Sequence, residues 1–243
     1  MKILITGASS GIGAELARQY ASKENELILL ARREDKLFEL RKELYEEVKN
    51  IDIIVADVTE FTTLQKKIKT IGSIDMVILN AGVATGGSSD IPTIESFKNL
   101  YDVNVLSNHA ILEVLLPLFR EQGSGKIVFM SSLASLISMP SSEIYSSSKR
   151  ALNAYAEGIR YKYKPYGIKI ITILPGFIKS EMTDQNEFKM PFIYSTQEGV
   201  SKIKGAIETN REFYAFPLRL YHFIRFVNLL PAALRERMLR LFR

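Results

Sequence analysis

Lys2-Ile3-Leu4-Ile5-Thr6-Gly7-Ala8-Ser9-Ser10-Gly11-Ile12-Gly13 opens this 243-residue chain and has the pattern of a buried strand followed by a glycine-rich turn. Gly7 allows a tight turn, Gly11 lets the backbone approach a pyrophosphate, and Gly13 permits a helix to pack closely on the strand. A pyrophosphate would then lie at the positive end of that helix. The pattern favours a dinucleotide-binding turn, and a glycine-rich turn without a ligand is the alternative. The predicted cofactor contacts in this turn are Gly7, Ser9, Ser10, Gly11, Ile12 and Gly13.

Short apolar runs alternate with helical patterns along the chain. Continuous runs such as Ile3-Leu4-Ile5 suit strands buried on both faces, as in a parallel sheet covered by helices. We predict strands over Lys2–Thr6, Glu26–Ala31, Asp52–Ala56, Met76–Asn80, Lys126–Ser131 and Lys169–Leu174, and helices over Gly13–Ser22, Glu34–Asn50, Thr62–Thr70, Ile94–Arg120 and Ser146–Tyr163. This order predicts a single α/β domain over residues 1–243, with a Rossmann-type, doubly wound parallel β-sheet flanked by helices. A small C-terminal helical extension is predicted to complete it.

The composition argues against several kinds of site. The chain has no cysteine, and its two histidines, His109 and His222, lie far apart. We therefore expect no disulfide, no thiolate nucleophile and no metal site. The residues before the glycine turn lack the apolar stretch and cleavage site of a signal peptide, so we expect no leader peptide, and we expect no membrane span because no run of about 18 apolar residues is present. The expected compartment is the cytoplasm.

The net charge of +5 is concentrated at the carboxyl terminus. From Arg211 to Arg243 there are seven arginines and two glutamates, whereas the rest of the chain is balanced. Because the chain before Arg211 carries no excess positive charge, it gives no support to nucleic-acid binding.

The end of the second predicted strand indicates which dinucleotide is bound. NAD-binding folds usually carry an acidic residue there, about 20 residues past the glycines. Here the sequence is Leu29-Leu30-Ala31-Arg32-Arg33, and guanidinium groups suit a 2′-phosphate. We therefore predict NADP in preference to NAD, held by Arg32 and Arg33 with a hydroxyl contact from Ser9. The alternative is that the two arginines only solvate a loop.

Tyr145 and Lys149 lie four residues apart in Ser142-Glu143-Ile144-Tyr145-Ser146-Ser147-Ser148-Lys149. On a helix this spacing places both side chains on one face. A nearby ammonium is expected to lower the pKa of the phenol and suit it to general acid–base chemistry. A tyrosine that packs on the aliphatic stem of a lysine is the alternative from spacing alone.

With these motifs in this order, the chain closely resembles the short-chain dehydrogenase/reductase family from Lys2 to about Met182. The resemblance rests also on Asn80-Ala81-Gly82 after the fourth strand, on Ser132 thirteen residues before Tyr145, and on Pro175-Gly176 after the sixth strand. It adds a set of implied cofactor contacts to those of the glycine turn: Asp57, Val58, Asn80, Ala81, Gly82, Tyr145, Lys149, Pro175, Gly176, Ile178 and Ser180. Leu79 departs from the family signature, which has asparagine there, and puts one local hydrogen bond in doubt.

The resemblance also implies catalytic roles. Ser132 would hydrogen-bond the substrate carbonyl, and Tyr145 would donate or remove the proton. Lys149 would bind the nicotinamide ribose, and Asn104 would hold a water in the proton relay. Ser131 and Ser132 point in opposite directions along a strand, so only one of them can face the site. We expect His109 to pack or to lie at an interface.

Two further segments bear on the substrate and on partners. Residues 177–199 correspond to a lid in the family, and the apolar side chains there favour a hydrophobic substrate, although they would also suit core packing: Met182, Phe188, Met190, Phe192, Ile193 and Tyr194. Residues 213–243 are basic and rich in aromatic side chains, including Phe213, Phe226 and Phe242, with predicted helices over Leu218–Leu230 and Ala232–Arg243. This extension suits packing or a subunit contact, and association with a membrane surface is the alternative.

The sequence therefore predicts an NADP-dependent oxidoreductase that transfers a hydride between the nicotinamide and a carbonyl/hydroxyl group of a hydrophobic small molecule. Two alternatives stay open: a non-catalytic nucleotide-sensing protein on the same fold, and a peripheral-membrane reductase of a lipid-derived substrate at the inner membrane surface. The resemblance also implies a homodimer or homotetramer, formed through the helices over Ile94–Arg120 and Ser146–Tyr163.

Overall fold

A computed structural model describes residues 1–84, 91–139, 142–184 and 190–240. In this part of the chain seven parallel strands form one sheet in the order β3-β2-β1-β4-β5-β6-β7. The strands are β1 Lys2–Thr6, β2 Glu26–Ala31, β3 Asn50–Val55, β4 Met76–Leu79, β5 Gly125–Met130, β6 Ile168–Pro175 and β7 Phe213–Phe216. β1 lies inside the sheet, where Ile3 is paired with Leu27 of β2 on one side and with Met76 of β4 on the other.

Helices cover both faces of the sheet. They are α1 Gly11–Tyr20, α2 Glu34–Leu44, α3 Phe61–Lys69, α4 Ile94–Tyr101, α5 Ser107–Gln122, α6 Glu143–Tyr163, α7 Thr196–Glu208, α8 Leu218–Leu229 and α9 Ala232–Arg240. α1, α2 and α7 pack on one face, and α3, α5 and α6 pack on the other. Alternate residues of β1 supply both cores, since Ile3 and Ile5 face the first group of helices and Leu4 faces the second. The predicted doubly wound single domain is confirmed.

Two predicted helices differ from the observed ones by more than three residues at one end or by a break. The helix predicted over Glu34–Asn50 ends at Leu44, because Asn50 already pairs with Glu26 as the first residue of β3. The helix predicted over Ile94–Arg120 is divided into α4 and α5 by a π-helical turn, Asp102–Leu106. Such turns are often found at functional sites.

α7 and β7 were not predicted from the sequence. α7 begins with a capping box, in which the Ser195 hydroxyl accepts from the Glu198 amide and the Glu198 carboxylate accepts from the Ser195 amide. β7 adds to the edge of β6, with Ile173 paired with Tyr214. Phe213–Phe216, assigned above to the extension, therefore belongs to the sheet, and the extension proper is α8 and α9.

The extension packs on the body through a third apolar cluster. Ile224 and Val227 of α8 are buried in it together with Leu133, Ile137 and Leu174. α8 ends one residue before the predicted position, while Phe188 of the lid and Phe242 of the extension lie outside the described residues. Within the described ranges, no helix combines the length and apolar character needed to span a bilayer.

Candidate active site

Four strands end together on one side of a crevice. β1, β4, β5 and β6 are neighbours in the sheet and parallel, so their carboxyl ends at Thr6, Leu79, Met130 and Pro175 lie along one edge. The chain leaves β1 toward β2 but leaves β4 toward β5, and this change of direction opens a crevice between them. Most of the predicted site residues lie on the segments that follow these strand ends, whereas Arg32 and Arg33 follow β2 and Asp57 and Val58 follow β3.

The glycine turn brings α1 into close contact with the end of β1. Gly7 has a φ of +66°, a left-handed conformation that favours glycine. A Cβ atom at Gly13 would lie 2.2 Å from the Gly7 carbonyl oxygen and 2.7 Å from Asn80 Nδ2. The helix can therefore approach the strand this closely only without a side chain at position 13.

The beginning of α1 is suited to hold an anion. The side chain of the N-cap residue, Ser10, does not cap the helix, and the first turn has no acidic residue. The first amide groups of a helix carry a partial positive charge and bind phosphate groups readily. Gly11 has a φ of +53° and lies close to Ser180. A Cβ atom at Gly11 would lie 3.3 Å from Ser180 Cβ, so the gap between the glycine turn and the segment after β6 is narrow at this point.

Thr6 connects the ends of β1 and β4 and was not among the predicted site residues. Its hydroxyl accepts from the amides of Asn80 and Ala81, each at 2.9 Å. Asn80 Nδ2 in turn donates to the Thr6 carbonyl oxygen at 3.0 Å. Asn80 and Ala81 are thus held in place by side-chain bonds across the crevice. Leu79 is buried in the core beneath them, so the departure from the family signature replaces a polar group by apolar packing.

Arg33 connects three parts of the candidate cofactor site. Its guanidinium donates to Ser9 Oγ at 3.2 Å, to Ser10 Oγ, and to Glu181 Oε2 at 2.9 Å. Arg32 pairs with Asp57 Oδ2 at 3.4 Å. Both arginines are exposed, and neither pair is buried. Glu181 was not predicted as a site residue, because its contact with Arg33 spans 148 residues of sequence.

Asp57 lies at the end of β3 and holds its own loop together. Burial alone would raise the pKa of Asp57, but hydrogen bonds from the Thr59 amide and hydroxyl, with the charge of Arg32, lower it below its usual value. The adjacent Val58 is buried in the core. This loop therefore holds the Asp57 carboxylate in a fixed position after β3, with Val58 anchoring it to the core.

Ser132 and Tyr145 meet at the end of β5. The Ser132 hydroxyl accepts from the Ala134 amide at 3.1 Å and is hydrogen-bonded to the Tyr145 phenol. Ser131 points the other way, with its hydroxyl donating to the Lys149 carbonyl oxygen at 3.3 Å. Of the two adjacent serines, Ser132 is therefore the one that faces Tyr145.

A second set of contacts fixes the backbone of Ser132 and was missed by sequence reasoning. Ser135 Oγ donates to the Ser132 carbonyl oxygen at 2.6 Å and accepts from Asn153 Nδ2 at 2.7 Å. Arg150 Nε donates to the Ser135 carbonyl oxygen at 2.9 Å. Asn153 and Arg150 lie on α6, the helix that also carries Tyr145, so the two reactive side chains share one support.

Lys149 is enclosed beside this pair. It is 4% exposed, and its ammonium donates to the Met130 carbonyl oxygen at 2.9 Å. Burial lowers the pKa of Lys149 to about 8. A Cβ at Gly82 would lie 3.4 Å from Lys149 Nζ and 3.3 Å from Asn104 Oδ1. The absence of a side chain at Gly82 therefore lets the backbone there approach the Lys149 ammonium and Asn104 closely.

The expected lowering of the Tyr145 pKa by Lys149 was wrong. Burial raises the pKa of Tyr145, and the hydrogen bond with Ser132 offsets part of that rise. Lys149 does not oppose the rise, because its ammonium is bonded to Met130 and lies 5.8 Å from the centre of the Tyr145 ring. The phenol is therefore protonated at physiological pH.

Asn104 is fully buried in the π-helical turn and holds the segment after Gly82. Its Oδ1 accepts from the Val83 amide at 2.9 Å, and its Nδ2 donates to the Val83 carbonyl oxygen at 3.0 Å and to Ser148 Oγ at 3.1 Å. Asn108 Nδ2 donates to the Asn104 carbonyl oxygen at 2.7 Å. The side chain thus positions the turn beside Lys149.

The segment after β6 closes the other side of the crevice. Gly176 donates its amide to the Phe216 carbonyl oxygen at 2.7 Å, so Pro175-Gly176 is fastened to β7. Ile178 is buried and forms a bridge with Tyr194, and the Ser180 amide donates to Thr183 Oγ1 at 2.8 Å. Among the lid residues, Phe192 and Ile193 are 52% and 45% exposed.

The remaining predicted residue is outside the site. His109 Nδ1 lies 2.7 Å from the Tyr155 hydroxyl on the exposed side of α5, in agreement with the expected packing or interface role.

The buried Lys149 gives a pH-dependent stability. Its pKa is lowered from 10.5 to about 8 in the folded state, so the unfolded chain binds more protons between these values and stability rises with pH. Between pH 8 and about pH 10, the free energy of unfolding of the wild type should rise by about 2–3 kcal/mol more than that of Lys149→Met. Urea unfolding at several pH values measures this difference. The exposed Lys66→Met is the control, and an equal slope in all three proteins would contradict the burial of a charged ammonium.

Comparisons with known proteins identify a family, sequence relatives and structures of the same fold. The sequence pattern of the family described as short chain dehydrogenase matches residues 1–190. An uncharacterised oxidoreductase of Mycobacterium tuberculosis is 35% identical over 214 residues, covering 85% of this chain and 84% of that protein. An 11-beta-hydroxysteroid dehydrogenase-like protein of Arabidopsis thaliana is 38% identical over 215 residues, covering 84% of this chain and 68% of that protein. A short-chain dehydrogenase from Sphingobium yanoikuyae in complex with NADPH superposes with a TM-score of 0.84 at 26% identity, covering 89% of this chain and 88% of the other.

Proposed function

This chain belongs to the short-chain dehydrogenase/reductase family and is an NAD(P)-dependent oxidoreductase, and we propose that it transfers a hydride between NADP and a carbonyl/hydroxyl group of an apolar small molecule. The observation that carries this proposal is the hydrogen bond between Ser132 and Tyr145, beside the Lys149 ammonium at the carboxyl end of the sheet.

The residues of the crevice fit a dinucleotide. The uncapped beginning of α1 offers amide groups to a pyrophosphate, and the glycines at positions 7, 11 and 82 leave room for it and for a ribose beside Lys149. The Arg33 guanidinium donates hydrogen bonds to the hydroxyls of Ser9 and Ser10, and this cluster of donors supports a 2′-phosphate site there. Asp57, Val58 and the Pro175–Ser180 segment border the same crevice in our proposal. The cofactor, when bound, supplies or accepts the hydride.

The proton is moved by this chain's own side chains. Tyr145 is protonated at physiological pH, which is the form that donates to a carbonyl oxygen during reduction. The Ser132 hydroxyl is a hydrogen-bond partner of the phenol, so we propose that one substrate oxygen contacts both groups. Lys149 lies 5.8 Å from the centre of the Tyr145 ring, and we propose that its ammonium binds the nicotinamide ribose beside the phenol. The role of Asn104 in a water relay stays a prediction.

The lid and one relative support an apolar substrate. Phe192 and Ile193 present exposed apolar side chains on the segment that follows Ser180. The Arabidopsis thaliana protein named above is described as 11-beta-hydroxysteroid dehydrogenase-like, a description that concerns a hydroxyl group on an apolar ring system. We also propose that the protein is a homodimer or homotetramer formed through α5 and α6.

A carbonyl panel followed by NADPH absorbance tests the proposed function. Apolar ketones and aldehydes should be reduced faster than small charged carbonyl compounds, because the lid residues offer apolar contacts. The assignment would be contradicted if no carbonyl compound of the panel lowered the NADPH absorbance and no corresponding alcohol raised it in the presence of NADP.

The two arginines after β2 should decide between the cofactors. Arg33→Ala is expected to raise the Kd of NADPH by roughly 10- to 100-fold, because it removes charge-assisted hydrogen bonds to a phosphate. Arg32→Ala should act in the same direction. Neither substitution should change the Kd of NADH appreciably. Glu181→Gln should lower the Kd of NADPH, because it removes the carboxylate charge that pairs with Arg33. Fluorescence titration measures these constants, with Lys42→Ala as the control. An equal loss of affinity for NADPH and for NADH would contradict the 2′-phosphate site.

A further inference from the structure

The outward face of α8 exposes a row of apolar side chains. Leu218, Phe226 and Leu229 are 60%, 57% and 82% exposed, and their spacing of eight and three residues brings them to one side of the helix. We call this row the α8 ridge. The opposite side of α8 carries Ile224 and Val227, which are buried against the body. The ridge is therefore a helix face turned away from the described core.

Arginines border the ridge. Arg219 follows Leu218 and Arg225 precedes Phe226, and both are exposed. Exposed Arg237 lies on α9, directly after α8. From residue 213 to the carboxyl terminus the sequence has six arginines and one acidic residue, Glu236, so the segment that carries the ridge is strongly basic.

Three kinds of partner have to be distinguished. A second copy of this chain, placed on the ridge by two-fold symmetry, would bring arginine against arginine, which disfavours the contact. A nucleic acid would use the arginines but leave Phe226 and Leu229 exposed to water. An anionic bilayer satisfies both features, because apolar side chains enter the headgroup boundary while arginines bind lipid phosphates. We propose that the α8 ridge docks on an anionic lipid surface.

Docking would place the candidate active site close to the lipid. Asn228 Nδ2 of α8 donates to the Leu136 carbonyl oxygen at 2.7 Å, and Val227 packs with Leu133, the residue directly after Ser132. A protein docked through the ridge thus holds the Ser132 segment on the body side of α8, about one helix diameter, roughly 10 Å, from the lipid. An apolar carbonyl compound dissolved in the bilayer is then the substrate that this arrangement suits. That last step rests on the proposed function, whereas the docking itself does not.

Vesicle flotation of the full-length protein, without cofactor or substrate, tests the docking. The protein should float with vesicles of phosphatidylcholine and phosphatidylglycerol and much less with phosphatidylcholine alone. Phe226→Glu and the double variant Arg219→Glu/Arg225→Glu should each reduce partitioning by more than about tenfold. Phe38→Glu and Lys42→Glu/Lys66→Glu make the same changes of charge at exposed positions elsewhere and should bind as the wild type does.

The possible outcomes separate the partners. Equal binding to both kinds of vesicle, or an effect of the control variants as large as that of the ridge variants, overturns the proposal. Binding that depends on the arginines but not on Phe226, with equal affinity for duplex DNA, would assign the surface to polyanions in general and also overturn it. Self-association that Phe226→Glu abolishes would assign the ridge to a subunit contact. Vesicle binding without any carbonyl reduction would contradict the proposed function and leave the docking intact.

Discussion

Tyr145→Phe is expected to lower kcat by about 10³-fold, because it removes the only atom of that side chain that can pass a proton to the substrate oxygen. The affinity for NADPH should stay close to that of the wild type, since phenylalanine keeps the ring that packs beside Lys149. The loss is therefore expected in turnover and not in cofactor binding. Steady-state kinetics on the best substrate of the carbonyl panel, with a separate NADPH titration, measure the two effects.

Tyr161→Phe provides the matched control for that variant. Tyr161 lies on the same helix, α6, and is 68% exposed, with its hydroxyl donating to Glu157 Oε1 at 2.6 Å. It should keep full activity. If Tyr145→Phe keeps more than about a tenth of the wild-type kcat, Tyr145 does not supply the proton in the manner of a general acid.

Gly13→Ala is expected to lower the free energy of unfolding by at least about 3 kcal/mol. The new methyl group would lie 2.2 Å from the Gly7 carbonyl oxygen and 2.7 Å from Asn80 Nδ2, so α1 must move away from β1. That movement would also shift the amide groups that we propose to bind the pyrophosphate. Gly13→Ala should therefore bind NADPH more weakly as well as being less stable. Urea unfolding and NADPH titration measure the two losses.

Gly158→Ala is the control for this substitution. Gly158 lies in the middle of α6 on its exposed side, and a Cβ there would meet no atom within 4 Å. Because alanine favours the helix more than glycine does, this variant should be stabilised by up to about 1 kcal/mol. Equal stability of Gly13→Ala and Gly158→Ala would contradict the close contact of α1 with β1.

The alternation of apolar runs and helical patterns was sufficient to predict the fold, because strands buried on both faces leave a simple signal. The positions at which a helix stops were harder. Leu44 ends α2 because β3 must pair with β2 from Asn50 onward, which is a condition set by the sheet and not by the local sequence. β7 was missed because its four residues, Phe213–Phe216, adjoin an arginine-rich segment and gain their strand character from pairing with β6.

The candidate site was predictable where it depends on spacing and not where it depends on distant partners. Four residues on one helix bring Tyr145 and Lys149 together, as the sequence indicated. The pKa of Tyr145 was predicted in the wrong direction, because the partner of Lys149 is the Met130 carbonyl oxygen on another element. Glu181 and Asn153 were missed for the same reason, since their contacts with Arg33 and Ser135 join segments that are remote in sequence.

Transfer of deuterium from NADPH labelled at the nicotinamide C4 position tests the central claim most directly. With either of the two stereospecifically labelled cofactors in turn, and the best carbonyl compound of the panel, mass spectrometry of the product measures the label. We expect the alcohol to carry one deuterium from one of the two cofactors, and we expect Tyr145→Phe to suppress its formation. An alcohol product that contains no deuterium from either cofactor would contradict hydride transfer at this site.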